Sequence, residues 1–372
     1  MIRTELESYR ARVRGCLLGG AIGDALGGPV EFRSAEEILA THPDGVREFV
    51  AAGAGWPPGT VTDDTQMTLF TVEGLIRGMV REDRGIGFTV GVVHHAYDRW
   101  LDTQQRPGPS GARDGWLQAE QWLYARRAPG NTCLSALAGA RRGEDRIPQV
   151  GNPAPNDSKG CGGVMRSAPF GLAPPGNTTP NRVFDVAAEA AGFTHGHPTG
   201  KLASGALAVI IAALVAGADL EAALDGCLDQ LATRPGHEET VAALTLARRL
   251  AADGEPGPAT IASIGGGWIA EEALAIGVYA ALVHPEPAGV LDALALAVTH
   301  SGDSDSTGAI CGNILGAGHG ETALPAELVF GVEGRGTILQ LADDLALELT
   351  ERDRLHGDRG PHTAWIKRYP GW

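Results

Sequence analysis

Apolar residues return at helical spacing through most of the chain. Between 62 and 80, Met67, Phe70, Val72, Leu75, Ile76 and Met79 follow one another at the short steps of an amphipathic helix, which predicts one buried face. The same pattern predicts helices over 184–191, 200–216, 220–231, 238–252, 271–282, 289–298 and 338–348. No series of short alternating runs bounded by turns is present, so neither a β-sandwich nor a βαβ array is expected. Gly15, Gly19, Gly23 and Gly27 stand four apart and align on one helical face. Each glycine weakens a helix by about 1 kcal/mol relative to alanine. The pattern therefore implies close approach of another helix or a ligand, and tight helix packing explains the glycines by themselves. Pro- and Gly-rich loops are expected over 102–115, 147–163, 173–180, 253–258 and 354–361. None resembles an interdomain linker and there is no internal repeat, so residues 1–372 are expected to form a single domain.

Composition narrows the class. A chain of 372 residues with 43% hydrophobic residues can bury a substantial core, and the low aromatic content of 5% suits closely packed helices. The net charge of −15 argues against a general nucleic-acid binder, which needs a basic face. An anionic ligand would have to be held by metal ions, backbone amides or local cations. Five scattered cysteines (Cys16, Cys133, Cys161, Cys227, Cys311) form no C-x-x-C pair, as expected in a reducing compartment. The first residues are charged and lack a signal-like apolar core, and the longest apolar stretch, 206–218, is shorter than the roughly 20 residues of a membrane span. A soluble, cytoplasmic chain that does not enter the membrane is the expectation.

Two acid clusters carry the candidate chemistry. Thr62-Asp63-Asp64-Thr65-Gln66 opens the helix expected at 62–80. Asp63 with Gln66 reads as a capping box, and acids favour the positive end of a helix dipole. Two adjacent carboxylates beside a hydroxyl also suit a hard cation. His300-Ser301-Gly302-Asp303-Ser304-Asp305-Ser306 repeats the composition between two apolar stretches. An N-cap explains one of its acids but not the shared Asp-plus-hydroxyl pattern. Four acids and two hydroxyls make an oxygen-only donor set for one or two Mg²⁺ or Mn²⁺ ions, and nothing in them suits Zn²⁺ or Cu²⁺. Gly160-Cys161-Gly162-Gly163 offers backbone N–H groups to phosphate oxygens, although an ordinary turn accounts for it equally well. It is not a P-loop, and Gly19-Gly20-Ala21-Ile22-Gly23 is not a dinucleotide fingerprint, because no βαβ context surrounds it.

Five motifs in order give the chain a resemblance. They are Gly15–Gly27 followed by Pro29-Val30-Glu31; Thr62-Asp63-Asp64-Thr65; Ser158-Lys159-Gly160-Cys161-Gly162-Gly163-Val164-Met165-Arg166; Thr194-His195-Gly196-His197-Pro198; and Gly302-Asp303-Ser304-Asp305-Ser306. Across nearly its whole length the sequence resembles the ADP-ribosylglycohydrolase family. The resemblance implies an all-α, compact orthogonal bundle of many helices with a binuclear magnesium centre in a cleft. Thr62, Asp63, Asp64, Asp303, Asp305 and Ser306 would hold the metals. Glu31 matches the glutamate of a loop that closes over the site, Ser158, Lys159, Gly160, Cys161, Gly162 and Gly163 match the loop around the ADP-ribose diphosphate and distal ribose, and His195 matches a ligand-contacting histidine. The family usually has Asp-Thr-Asp-Thr in the last motif. Ser304 and Ser306 stand here instead, keeping the oxygen but not the χ1 rigidity of a β-branched side chain.

The activity so implied is magnesium-dependent hydrolysis of the bond between C1″ of the distal ribose and its acceptor, with Glu31, Asp64 and Asp303 as the catalytic carboxylates. Arginine-linked ADP-ribose on protein is the default acceptor, with serine, nucleobase and small-molecule conjugates open. A non-catalytic, ADP-ribose-binding or crystallin-like member is the competing class, against which all four acids stand. A helical phosphohydrolase of the His-Asp type is a third reading, disfavoured because the chain has no His-Asp dipeptide. Trp56, Trp100, Trp116 and Trp268 are candidates for the acceptor pocket or for the core. The partner is the ADP-ribose moiety, and a monomer is expected.

Overall fold

Helices form where the periodicity predicts them, and glycine sets how closely the central pair meets. A computed structural model describes residues 2–53, 56–88, 90–110, 114–142, 153–356 and 363–371. The helices are α1 (Arg3–Gly27), α2 (Ala35–Thr41), α3 (Asp63–Asp83), α4 (Gly91–Gln105), α5 (Asn131–Arg142), α6 (Pro180–Ala191), α7 (Pro198–Val215) and α8 (Leu220–Ala232). They continue with α9 (Glu238–Asp253), α10 (Pro258–Ile264), α11 (Ala270–Val283), α12 (Val290–Val298), α13 (Ser304–His319), α14 (Ala326–Gly331), α15 (Arg335–His356) and α16 (Ala364–Arg368). Among the described residues there is no strand, only an isolated antiparallel bridge between Gly160 and Ile269. The expected all-α class holds. The loops expected at 102–115, 147–163 and 354–361 each fall partly outside the described residues.

α1 and α13 run antiparallel through the middle of the protein. A Cβ added at Gly15, Gly19 or Gly23 would collide with the carbonyl of Gly316, Gly312 or Gly308 in turn, and one at Gly27 with that of Ser304. Both helices thus present small residues every fourth position, and their backbones touch. Asn313 fixes the register by donating its amide to the Cys16 carbonyl at 2.8 Å. The glycine face of α1 is therefore a packing face against α13.

Around this pair lie α3, α7, α11, α12 and α15. The single buried face expected for α3 is an underestimate: Asp63 to Gly78 is buried on every side. Its polar positions are paired rather than solvated, with Glu73 on Arg99 of α4 at 2.9 Å and Arg77 on the Pro370 carbonyl at 2.8 Å. The run expected at 206–218 lies up to Val215 in a longer helix, α7, with a mean hydropathy of 1.7 over 18 residues. It is long and apolar enough to cross a membrane, but 78% of it is buried against its neighbours, as in a core helix.

Candidate active site

Three helix ends converge on one cleft. α1 ends beside it, and α3 and α13 begin there, so two positive dipole ends face the same space. The cleft encloses about 390 Å³ and is lined by Glu31, Phe32, Asp63, Asp64, Gly160, Cys161, Gly162, His195, Trp268, Asp303, Asp305 and Ser306, among others. The two acid clusters, some 240 residues apart in sequence, are thereby brought together with the glutamate, the Gly-rich loop and the histidine.

At the first cluster, Thr62 rather than Asp63 caps α3, its Oγ1 accepting from the Asp64 N–H at 3.2 Å. The capping box read from Asp63 and Gln66 is not formed. Gln66 instead donates to the Ala125 carbonyl and accepts from Trp100, while Asp63 Oδ2 takes the Gly130 N–H at 3.4 Å. Thr62 is fully buried behind the lining, its hydroxyl turned to Asp64 and Asp305. At the second cluster Asp303 does cap α13, accepting from the Ser306 N–H at 3.3 Å. Ser306 also donates its N–H to Asp305 Oδ1 at 2.9 Å. The Ser304 hydroxyl points back to the His300 carbonyl at 3.4 Å, so of the two serines only Ser306 faces the cleft.

Asp24 is the acid that the candidate set omits. It is fully buried on α1, and its carboxylate accepts from the Thr62 N–H at 3.0 Å, the Thr65 N–H at 3.1 Å and the Thr65 hydroxyl. It thus sews the end of α1 to the start of α3. The signal was present: a lone carboxylate inside the apolar, glycine-faced stretch 13–27 has no other reason to be there.

Burial and mutual repulsion dominate the electrostatics. Asp24 is pushed up to about 7 by burial and then by Asp305. Half-buried Glu31 is pushed up to about 10 by burial, then by Asp305, Asp303, Asp63 and Asp24. Asp63, Asp64 and Asp303 are all held well above the ordinary carboxylate range, by burial first and Asp305 second. Asp64 Oδ1 is buried with no hydrogen-bond partner. A buried, orphaned carboxylate oxygen among like charges is what a divalent cation relieves, and the all-oxygen donors suit a hard ion. Among the described residues no three of these carboxylates bring ligand atoms within 4.8 Å of one another. Sulfur also lines the cleft, from Cys133, Cys161 and Met165, and of these Cys161 Sγ donates to Asp303 Oδ2 at 2.8 Å; burial pushes that thiol far up, so it is protonated.

The segment 158–163 divides in two. Gly160, Cys161 and Gly162 line the cleft, with Ser158 in an adjoining groove. The Gly160 and Cys161 N–H groups are engaged by Ser158 Oγ at 3.3 Å and the Trp268 carbonyl at 3.1 Å. Lys159 points away, onto Glu239 at 2.8 Å and Glu271 at 2.5 Å, and Gly163 turns inward against Ala191 and Ser204. Glycine is required at 162 because a Cβ there would lie 2.8 Å from Cys133 Sγ and 3.1 Å from His195 Cε1. His195 Nδ1 pairs with Thr194 Oγ1 at 2.8 Å, which also accepts from buried Arg166 at 2.6 Å. Burial, and then Arg166, lower His195 to about 3, so its ring is neutral. Arg166, stacked 4.3 Å over Tyr97, orients that histidine from behind.

At the rim, Phe32 is 74% exposed and stacks on Trp268 at 5.2 Å. Phe32 (φ 68°) and Ala128 (φ 52°) are the non-glycine residues in left-handed backbone among the described residues, and both line the cleft. Strain collected at one cavity is characteristic of a working site. Of the four tryptophans only Trp268 lines the cleft. Trp100 is in the core, and Trp56 and Trp116 lie under Arg127 and Arg368.

Comparison with known proteins bears on the fold and the family. The ADP-ribosyl-[dinitrogen reductase] glycohydrolase of Rhodospirillum rubrum is 29% identical over 222 residues, 58% of this chain and 62% of that protein. The chain thus spans under two thirds of that relative. An uncharacterised protein of Archaeoglobus fulgidus is 26% identical over 339 residues, 90% of this chain and 95% of that protein. A solved structure described as an ADP-ribosylglycohydrolase-related protein complex shares the fold, with a TM-score of 0.65 at 24% identity, covering 92% of this chain and all of that one. The sequence profile of ADP-ribosylglycohydrolase matches residues 5–355. With that match, the chain belongs to the ADP-ribosylglycohydrolase family.

Proposed function

We propose that this cleft hydrolyses the glycosidic bond between ADP-ribose and an acceptor, with ADP-ribosylated arginine on protein as the preferred substrate. The observation that carries the reading is the convergence of Asp63, Asp64, Asp303, Asp305 and Glu31 on one cavity, with Asp24 buried behind them, beside the Gly160–Gly162 shelf and His195. Asp63, Asp64, Asp303, Asp305 and Ser306 would hold Mg²⁺ or Mn²⁺, with Thr62 within reach of two of them. Bound there, the ions supply charge to orient the ribose hydroxyls and to favour a nucleophilic water.

The protein's own groups account for the remainder. The shelf and neutral His195 position the distal ribose and diphosphate, and the adjoining groove of about 630 Å³, which shares Asn131 and Thr132 with the cleft, receives the nucleoside end. Water adds to C1″, the bond to the acceptor nitrogen breaks, and the acceptor leaves with a proton. Asp64 and Glu31 border the reacting centre as the carboxylates that accept the water proton and balance the oxocarbenium-like charge. A guanidinium acceptor is favoured by the rim, where Glu31 adjoins the stacked Phe32 and Trp268: a planar cation is matched by a carboxylate and aromatic faces.

Release of ADP-ribose from arginine-, serine- and nucleobase-linked conjugates, each with Mg²⁺ and with chelator, tests both parts. Metal-dependent release from the arginine conjugate is expected, and Asp303→Asn should abolish it. Undiminished activity in that variant overturns the site, while preference for another conjugate overturns only the acceptor.

A further inference from the structure

Away from the cleft, α4 carries a second set of ligand-bearing side chains. His94, His95 and Asp98 each place one ligand atom within 4.8 Å of the other two, and among the described residues this is where three such groups meet. His94 is 2% exposed, and neither of its ring nitrogens has a hydrogen-bond partner. Such a buried imidazole is costly unless something else binds it. Its Nδ1 lies 3.5 Å from Asp98 Oδ2, and that of His95 lies 3.7 Å from the same oxygen. Both separations are long for a hydrogen bond. They are close to the edge of a tetrahedron about a zinc ion, about 3.4 Å for ligands roughly 2.1 Å from the metal. Arg141 of α5 donates to the Asp98 carbonyl and to Asp102 at 2.9 Å, and stands 3.7 Å from Asp98 Oδ1, leaving Oδ2 to the histidines.

We propose that His94 Nδ1, His95 Nδ1 and Asp98 Oδ2 form a separate site for a borderline transition-metal ion of the Zn²⁺ class, with a fourth position open to solvent beside exposed His95. Two imidazoles and one carboxylate select such an ion over Mg²⁺, so this site and the carboxylate-and-hydroxyl set of the cleft sort cations by donor chemistry. All three ligands lie on one helix, so the ion would staple one turn of α4, whose His94 ring packs edge-on to Phe193, next to Thr194 and His195.

Metal-stripped full-length protein, titrated with Zn²⁺ and analysed for bound metal after desalting, tests this. Wild type should retain one more equivalent than His95→Ala, a variant at an exposed position that leaves Mg²⁺-dependent ADP-ribose release unchanged. Asp303→Asn should keep that equivalent, and Asp98→Asn should lose it. With Co²⁺, the visible bands of a tetrahedral ion should appear in wild type and Asp303→Asn and be absent from His95→Ala. Equal zinc content in wild type and His95→Ala overturns the proposal, as does an extra equivalent that disappears in Asp303→Asn instead.

Discussion

Ser306 shows how much a single hydroxyl can leave undetermined. It is the serine of its motif that faces the cleft, and its Oγ donates to Met165 Sδ only at a long 3.9 Å, beside Cys161 and Asp303, so χ1 is loosely held. Ser306→Thr should restrict that rotation and tighten Mg²⁺ or Mn²⁺ binding about threefold, equivalent to about 0.6 kcal/mol of side-chain entropy, as read from metal titration. Arg166 is less forgiving. Its guanidinium is fully buried and serves Thr194 Oγ1, Cys133 Sγ and Met67 Sδ together. Arg166→Lys, with a point charge in place of a fork, should cost about 2–4 kcal/mol of stability, read from denaturant unfolding, and raise KM more than it lowers kcat. At this scale the sequence is unevenly legible. The paired Asp-plus-hydroxyl clusters stood out because two carboxylates side by side are conspicuous. Asp24 is hard to see because one acid in an apolar helix resembles a substitution rather than a functional group. The outward turn of Lys159 could not be seen, since it depends on Glu239 and Glu271, 80 and 112 residues away.

Helices were the legible elements wherever one side of the helix is apolar, as in α6, α8 and α9. α4 and α5 were not, because their apolar positions are interspersed with His94, His95, Arg99 and small residues and flanked by loops. Glycine gives an opposed pair of expectations. Gly23 lies against the Gly308 carbonyl, so Gly23→Ala should separate α1 from α13 and cost about 3 kcal/mol or more, with activity falling in step. Gly226 sits exposed within α8 with nothing near it, and Gly226→Ala should stabilise by about 0.5–1 kcal/mol. Thermal unfolding of the two variants measures both signs. Equal effects would mean that the α1–α13 contact is slack.

Across the whole molecule the acid cleft sets a pH dependence. Asp24 and Glu31 rise on folding from ordinary values of 3.8 and 4.5 to about 7 and about 10. The ion-free native state therefore binds more protons than the unfolded chain above about pH 4, and stability must fall as pH rises through that window. The melting temperature of chelated protein should drop between pH 5 and pH 8. Mg²⁺ at a hundredfold excess over its Kd should add about 2.7 kcal/mol and flatten the slope, because the ion replaces the protons. A chelated protein whose melting temperature rises across this range would contradict the assigned electrostatics. The fold class was open to sequence reasoning because it is written in local periodicity. The meeting of the two acid clusters was foreseen only as a requirement of a shared site, since what joins them is backbone contact between α1 and α13.

That contact also makes α1 a ruler. Gly15 to Gly27 spans about 18 Å at helical rise, marked off every fourth residue by a carbonyl of the opposing helix. Deleting one residue inside the span would turn Asp24 by about 100° and put every later mark out of phase, whereas deleting four shifts the phase by only about 40°. Length changes in this protein should therefore be confined to its loops, and a shortened α1 that still works should have lost a whole turn.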